Sequence, residues 1–358
     1  MRSILLLLTL FFSATALAQT RPEAITAIKA ISEEVMNYIN DIKGNPTQKD
    51  SDYLTEKFNT AVSVWTEPFA NGSIVDQMLM SFYSTVIYFR IGFMYSKMER
   101  TEEAYKYYRQ LPASMQYLLV DQGFPIRYDL GNYTYTLDNS YIKTIAPIFY
   151  NDMVAVLAKL EKWNELENIG KEALELSNIS AYKKYFVSTL MIEAGKKRNI
   201  DNDTLLDYYL QNIKSMARLD TAEKRFIKEN NYPDYDLRYD EVKALLPKVK
   251  TKFDRYPKTA RIYWEIRDTL KAKEFFTLLL NEGTWDEYVL KDAGEFSIAS
   301  ADKELGLRVG VTIKAFPHPE NNCVAFQTGA RIYEAFGYKS EAKYFQRQLR
   351  KCEKRIKN

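Results

Sequence analysis

Apolar side chains near the C-terminus recur three or four residues apart on two successive segments, which is the spacing of one helical face. Gly337 separates the two segments and interrupts the first helix. The pattern therefore predicts two antiparallel helices joined by a short turn. The residues on the shared face are Cys323, Phe326, Ala330, Tyr333, Ala342, Phe345, Leu349 and Cys352.

The stretch 95–111 is a copy of the stretch 333–349 when the two are aligned without a gap. A small residue recurs on each helix of both copies, and small side chains let two helices approach closely. These small residues are Gly92, Ala104, Ala330 and Ala342. The identical positions are Tyr95/Tyr333, Glu103/Glu341, Ala104/Ala342, Arg109/Arg347, Gln110/Gln348 and Leu111/Leu349. A third copy of the spacing runs through Leu157, Leu166, Ile169 and Ala173.

At these residues the chain resembles the tetratricopeptide repeat family. The small residue of the first helix, the Tyr three residues later (Tyr95, Tyr333) and the Ala nine residues after that (Ala104, Ala342) follow the spacing of that family. The copies are not in tandem, and the Pro that often closes such a repeat is missing after Leu349. The resemblance implies an all-α solenoid of stacked helical hairpins with a concave surface that binds a protein or peptide.

Helical patterns predict two lobes, at 19–229 and 239–358, joined by a linker at 230–238. The segment 112–139 is the least helical part of the first lobe, and its Tyr–Thr alternation suits a short β-hairpin. We interpret this segment as a connection between helical hairpins or as a loop over the concave surface. In the second interpretation, the ligand contacts are Tyr128, Tyr133 and Tyr135.

Three further expectations concern the second lobe. Pro257 is expected to separate a basic helix from a longer amphipathic helix at 259–280. Thr284 and Glu287 have the spacing of a capping box at the start of the next helix. Residues 301–315 are expected to be helical or mixed, since Gly310 weakens a helical assignment.

Residues 1–18 have the pattern of a secretory signal peptide. Arg2 precedes an apolar run, and Ala16–Ala18 forms a small-x-small cleavage site. The run is too short to span a membrane, so we expect no transmembrane span. The sequence therefore predicts an exported protein that begins at Gln19, either periplasmic or secreted.

The remaining chain has 49 basic and 47 acidic residues, because residues 1–18 contain only one charged residue, Arg2. A nearly neutral chain has no global field that recruits nucleic acid, so no nucleic-acid partner is expected. The stretch 243–261 is locally basic, with seven Lys or Arg and one acidic residue, Asp254. We interpret it as an exposed helix face in preference to a contact for an anionic surface.

The sequence offers little chemistry for catalysis. His318 is the only histidine and lies between two prolines. A metal site with two histidines is therefore impossible within one chain, and no phosphate-binding glycine loop is present. No cofactor and no metal are expected. The alternative to a scaffold is an α/α-toroid that acts on or binds carbohydrate, which requires two facing carboxylates in an aromatic-lined cavity.

The two cysteines lie at nearly equal distances from the predicted turn. Cys323 is fourteen residues before Gly337, and Cys352 is fifteen residues after it. In an antiparallel hairpin with helix axes ~9 Å apart, facing Cα atoms are ~5 Å apart, which suits a disulfide. We therefore predict a Cys323–Cys352 disulfide, since an exported protein meets an oxidising compartment.

Overall fold

The computed structural model describes residues 21–42, 46–65, 74–119, 126–130, 133–137, 139–284, 286–315 and 322–356. It divides the chain into two compact units, residues 1–198 and 199–358. The predicted signal peptide at 1–18 lies outside the described residues. No helix in the described ranges is long and apolar enough to cross a membrane.

The described part of the first unit contains eight helices. Neighbouring helices pack in antiparallel pairs, and the largest fully buried side chains between them include Tyr108, Phe149, Tyr150 and Tyr185. The helices are α1 (Arg21–Asp41), α2 (Gln48–Trp65), α3 (Ile74–Lys97), α4 (Thr101–Tyr108), α5 (Leu111–Leu119), α6 (Ser140–Lys159), α7 (Trp163–Glu175) and α8 (Ala181–Arg198).

The segment 112–139 is only partly irregular. Its first residues belong to α5, where Pro112 is the second helical residue. The first N–H groups of a helix have no intrahelical acceptor, so a proline at this position loses no hydrogen bond. The predicted β-hairpin is present, with β1 (Ile126–Leu130) antiparallel to β2 (Tyr133–Leu137). The expectation of an irregular segment was therefore wrong for 112–119, whereas the hairpin expectation is confirmed.

The described part of the second unit contains nine helices and one short 3₁₀ turn at Leu246–Lys248. Residues 230–238, which were predicted to link two lobes, lie inside this unit. They end one helix and begin the next, while the division between the units lies earlier, after Arg198. The helices are α9 (Asn202–Met216), α10 (Thr221–Glu229), α11 (Tyr235–Leu245), α12 (Lys252–Glu265), α13 (Thr269–Asn281), α14 (Glu287–Ala299), α15 (Lys303–Lys314), α16 (Cys323–Ala335) and α17 (Lys339–Ile356).

Two of the expected boundaries in the second unit were wrong. Pro257 lies inside α12, and the expected helix at 259–280 is broken after Glu265. Arg267 has φ 65° and Asp268 accepts a hydrogen bond from the Lys271 N–H, so one helix ends and another starts there. Asp286, and not Thr284, is the N-cap of α14, because the Asp286 carboxylate accepts the N–H groups of both residues 288 and 289.

Five helix pairs share one turn geometry. In each pair three residues separate the helices, the second of them has positive φ, and the third donates its N–H to the carbonyl five residues earlier. This is the Schellman arrangement, which satisfies carbonyls left open at a helix C-terminus. The pairs are α3–α4, α6–α7, α12–α13, α14–α15 and α16–α17, and their positive-φ residues are Glu99, Glu161, Arg267, Ala301 and Gly337.

Three of these hairpins follow one another in the second unit, so two further hairpins, α12–α13 and α14–α15, directly precede the copy at 333–349. Equivalent positions are Tyr263, Ser297 and Tyr333, 34 and 36 residues apart, and 34 residues is the tetratricopeptide period. The aromatic pair between the two helices also repeats. Ring centroids are 5.5 Å apart for Tyr95–Tyr107, 5.3 Å for Tyr263–Phe275 and 5.4 Å for Tyr333–Phe345, each pair stacked. The all-α helical-hairpin fold class is confirmed.

Small residues allow the close approach of paired helices, as the sequence predicted. A Cβ at Gly92 would lie 2.5 Å from the ring of Tyr108, so no larger residue fits without displacing that buried ring. In the C-terminal hairpin the closest approach is at Gly329, where a Cβ would lie 2.8 Å from Phe345. The neighbouring Ala330, at which the sequence placed this contact, is buried beside it.

Cys323 and Cys352 form a disulfide, as their distances from the turn predict. Their Cα atoms are 5.6 Å apart and the bridge closes a separation of 29 residues. The bond joins the ends of α16 and α17 that lie farthest from the turn at Gly337. It therefore holds the open end of the C-terminal hairpin.

Candidate functional site

A cavity with a volume of about 690 Å³ lies in the second unit. It is formed where α9 ends, along α10, at the start of α11 and at the turn between α12 and α13. We call it the α9–α13 pocket. Its lining residues are Met216, Ala217, Leu219, Lys224, Ile227, Lys228, Asp234, Tyr235, Ile266, Arg267, Asp268, Thr269 and Leu270.

Helix caps fix the walls of the α9–α13 pocket. Asp220 and Glu223 form a reciprocal capping box that starts α10. Asp234 starts α11 by accepting the Leu237 N–H at 3.0 Å. Asp268 starts α13. Three helix N-termini therefore set the positions of the pocket walls, and the helices behind them hold the apolar side chains in place.

The apolar wall of the pocket combines buried and exposed side chains. Ile227 is buried on α10, whereas Leu270 on α13 is 82% exposed. Phe226 and Tyr232 stack on each other near this wall, with centroids 6.3 Å apart, and both are partly exposed. A large exposed apolar side chain beside a concave wall is a common feature of binding surfaces.

The basic side chains of the pocket differ from those on α11 to α13, which form ion pairs. Lys224, Lys228 and Arg267 are exposed, and none of them has a carboxylate partner among the described residues. A smaller cavity of about 230 Å³ lies beside the pocket and shares Arg267 with it. That cavity adds Arg218, which likewise has no described ion pair. The surface around Arg267 is therefore locally positive.

The acidic side chains of the pocket are engaged within the fold. Asp268 Oδ2 accepts the Tyr235 hydroxyl at 2.8 Å while Oδ1 accepts the Lys271 N–H at 3.1 Å. Burial, and then the hydrogen bond to Asp268, raise the pKa of Tyr235 well above its ordinary value. The Lys271 ammonium lies 4.1 Å from the centroid of the Tyr235 ring and 4.2 Å from that of Tyr239. This network makes one side of the pocket rigid.

The α/α-toroid alternative requires two facing carboxylates that are free for acid and base catalysis. In the α9–α13 pocket Asp234 and Asp268 each cap a helix, and Tyr235 is the only aromatic side chain among the described lining residues. These features do not favour the carbohydrate-active alternative. Within the described ranges, no three His, Cys, Asp or Glu side chains are arranged to hold a metal ion. His318 lies outside the described residues.

Five of the seven basic side chains in the stretch 243–261 form ion pairs with carboxylates. Arg255 contacts both Asp203 and Asp207, so α12 and α9 are joined by charge pairs. This pairing agrees with the interpretation of the stretch as an exposed helix face, and it leaves Lys248 and Lys250 as the cations of the stretch without an ion pair among the described residues. The other pairs are Lys243–Glu274 (2.6 Å), Lys252–Glu282 (3.8 Å), Lys258–Asp207 and Arg261–Asp292 (3.7 Å).

The predicted ligand contacts Tyr128, Tyr133 and Tyr135 lie on the two β-strands. The register places Tyr128 opposite Tyr135 and Tyr133 opposite Leu130. The side chains of these residues lie outside the part of the chain that the structure describes. Their role as contacts therefore stays a prediction.

Sequence reasoning missed the α9–α13 pocket because its lining comes from three separate segments. Its helix caps are the features that a sequence pattern can show, as at Asp220 and Glu223, which have the spacing of a capping box. Asp268 was a further cap signal. The residues 230–238 were interpreted as a solvated linker, yet Asp234 and Tyr235 line the pocket and Arg238 is buried.

Neither the protein-family models nor the curated proteins give a match to this chain. Among solved structures, a chain in "Crystal structure of APC/C hetero-tetramer Cut9-Hcn1" is similar at 11% sequence identity and a TM-score of 0.22. The alignment covers 94% of this chain and 88% of that chain. A TM-score of this size does not establish a shared fold, so the fold class rests on the hairpin geometry described above.

Proposed function

We propose that this protein is an exported tetratricopeptide-like scaffold that binds a protein or peptide partner in the cell envelope. The observation that carries the proposal is the tandem stack of three helical hairpins, α12 to α17, with one turn geometry. Repeats of this kind bury their core between neighbours and leave extended side-chain surfaces for partners. The nearly neutral overall charge supports a protein partner over nucleic acid.

Export is supported by two independent features. Residues 1–18 have the composition of a signal peptide, and the Cys323–Cys352 disulfide suits an oxidising compartment. N-terminal sequencing of protein recovered from cell fractions tests this part. We expect a chain that begins at Gln19 in the exported fraction. A cytosolic chain that begins at Met1 contradicts the proposed export.

Crosslinking in intact cells tests the scaffold itself. A lysine-reactive crosslinker followed by mass spectrometry should join this chain reproducibly to one envelope protein, and the reciprocal pull-down should recover this chain. The matched control is an unrelated exported protein produced at the same level. Crosslinks that are the same for both proteins, or none above background, overturn the scaffold proposal.

A further inference from the structure

We propose that the α9–α13 pocket docks an acidic peptide segment that carries a large apolar side chain. This inference rests on the proposed scaffold function and specifies where the partner binds and by what chemistry. The volume of about 690 Å³ is within the range of sites that enclose a small ligand or a few side chains. The pocket therefore accepts part of a peptide and not a folded domain.

The apolar half of the partner follows from the wall formed by Ile227, Ile266 and Leu270. Leu270 is 82% exposed, which is the highest exposure among the large apolar side chains described. Ile227 on α10 is buried and also lines the pocket. An apolar side chain inserted here removes Leu270 from water, and such burial favours association.

The acidic half follows from the charges. Lys224, Lys228 and Arg267 border the pocket without carboxylate partners in the described part of the chain. Elsewhere in the unit, cations on α11 to α13 are paired with carboxylates, as at Lys243, Arg255 and Lys273. Three such cations beside an apolar wall are complementary to carboxylates that flank an apolar side chain.

A peptide suits this surface better than a nucleic acid. Tyr235 is the only aromatic residue in the described lining, and its ring already lies against Lys271, so the lining offers no free platform for base stacking. Asp234 and Asp268 also lie among the cations and would repel a continuous phosphate backbone. A peptide can place its carboxylates selectively, near Lys224, Lys228 and Arg267.

Fluorescence anisotropy with three labelled octapeptides tests the docking proposal. The probe has two central leucines flanked by three acidic residues on each side. In the second peptide lysines replace the acids, and in the third serines replace the leucines. We expect the full-length protein to bind the first at least tenfold more tightly than either of the others, with an affinity that falls as salt rises.

Variants then locate the site. The double change Lys224→Glu and Lys228→Glu should weaken binding of the probe at least tenfold, and Leu270→Ser at least fivefold. The matched controls, on other surfaces of the same unit, are Lys343→Glu with Lys351→Glu, and Val311→Ser, and these should leave binding within twofold. Lys343, Lys351 and Val311 are exposed, so circular dichroism should show the same fold for all variants.

Four results overturn the docking proposal. Two concern the peptides: equal binding of all three, or no binding of the probe. The third is that the control variants weaken binding as much as the pocket variants do. The fourth is concentration-dependent dimerisation that Leu270→Ser abolishes, because a second copy of the chain would then occupy the pocket. If crosslinking in cells still captures an envelope protein and the pocket variants do not reduce capture, the scaffold stands and only this docking site fails. Absence of any captured protein overturns the scaffold instead.

Discussion

The disulfide offers the sharpest test of how the second unit is held together. The bridge links two residues 29 positions apart and so closes a loop of that length in the unfolded hairpin. Reduction opens this loop, and the unfolded hairpin then gains conformational entropy. The loop-entropy relation gives about 3.6 kcal/mol at 25 °C for such a loop. We expect reduction to lower the opening free energy of α16 and α17 by about 3 kcal/mol, which is more than a hundredfold in the open population.

Hydrogen exchange followed by mass spectrometry measures this quantity segment by segment. A segmental readout is needed because a chain of two units does not unfold in one two-state step. The oxidised protein is compared with the reduced protein, in which both thiols remain and only the covalent link is lost. A Cys323→Ala/Cys352→Ala variant adds the loss of the Cys352 side chain, which is 2% exposed.

The entropy argument makes a specific claim about location. Protection should fall in the C-terminal hairpin, while the helices of the first unit should exchange as before. A change smaller than about 1 kcal/mol in α16 and α17 would refute the reasoning, since it would mean that the unlinked hairpin keeps its ends together. Equal losses in both units would point to a general effect of the reductant.

Three further predictions concern single residues. Gly337→Ala should lower the opening free energy of α16–α17 by about 1 kcal/mol and Ala301→Gly should raise that of α14–α15 by a few tenths, because both positions have positive φ; hydrogen exchange in each hairpin measures the two effects. Arg238→Ala should destabilise the second unit by about 3 kcal/mol, because Arg238 is buried and contacts Glu241 at 2.6 Å. Arg238→Lys should recover part of this loss. Hydrogen exchange measures both variants. Asp203 accepts hydrogen bonds from Thr251 and the Lys250 N–H, which lower its pKa to about 2. Its stabilising effect should therefore be present above about pH 4 and be lost as pH falls through about 2. An NMR titration that gives an ordinary pKa for Asp203 would show that these hydrogen bonds do not form in solution.

The sequence predicted the hairpins in which the spacing of apolar and small side chains was recognisable. Tyr95 and Tyr333 mark equivalent positions, and Gly337 marks a turn by its identity. The hairpins α12–α13 and α14–α15 lack a glycine at the positive-φ position, where Arg267 and Ala301 lie, and their side-chain spacing was not recognised. Ser297 also replaces the aromatic residue in α14, so the stacked ring pair is missing there.

The candidate site was less predictable than the fold for a physical reason. Helical periodicity depends on residues a few positions apart, whereas the α9–α13 pocket joins side chains as distant as Lys224 and Leu270. Pairing of charges is likewise a property of packing. The stretch 243–261 looks like a basic surface in the sequence, yet α12 places Arg255 against Asp203 and Asp207. Among the described residues, the cations without a carboxylate partner include Lys224 and Lys228 instead, in a part of the chain with ordinary composition.

The position of the disulfide follows from the repeat architecture. In a stack, an inner hairpin contacts neighbours on two sides, whereas α17 packs mainly against α16. The disulfide therefore adds a covalent link to a helix whose described contacts are mainly with its own hairpin partner. Since stability passes between adjacent repeats, loss of the link should reduce protection most in α16–α17, less in α14–α15 and least in α12–α13. Uniform loss across α12 to α17 would show that the three hairpins open as one unit and that nearest-neighbour coupling is the wrong description.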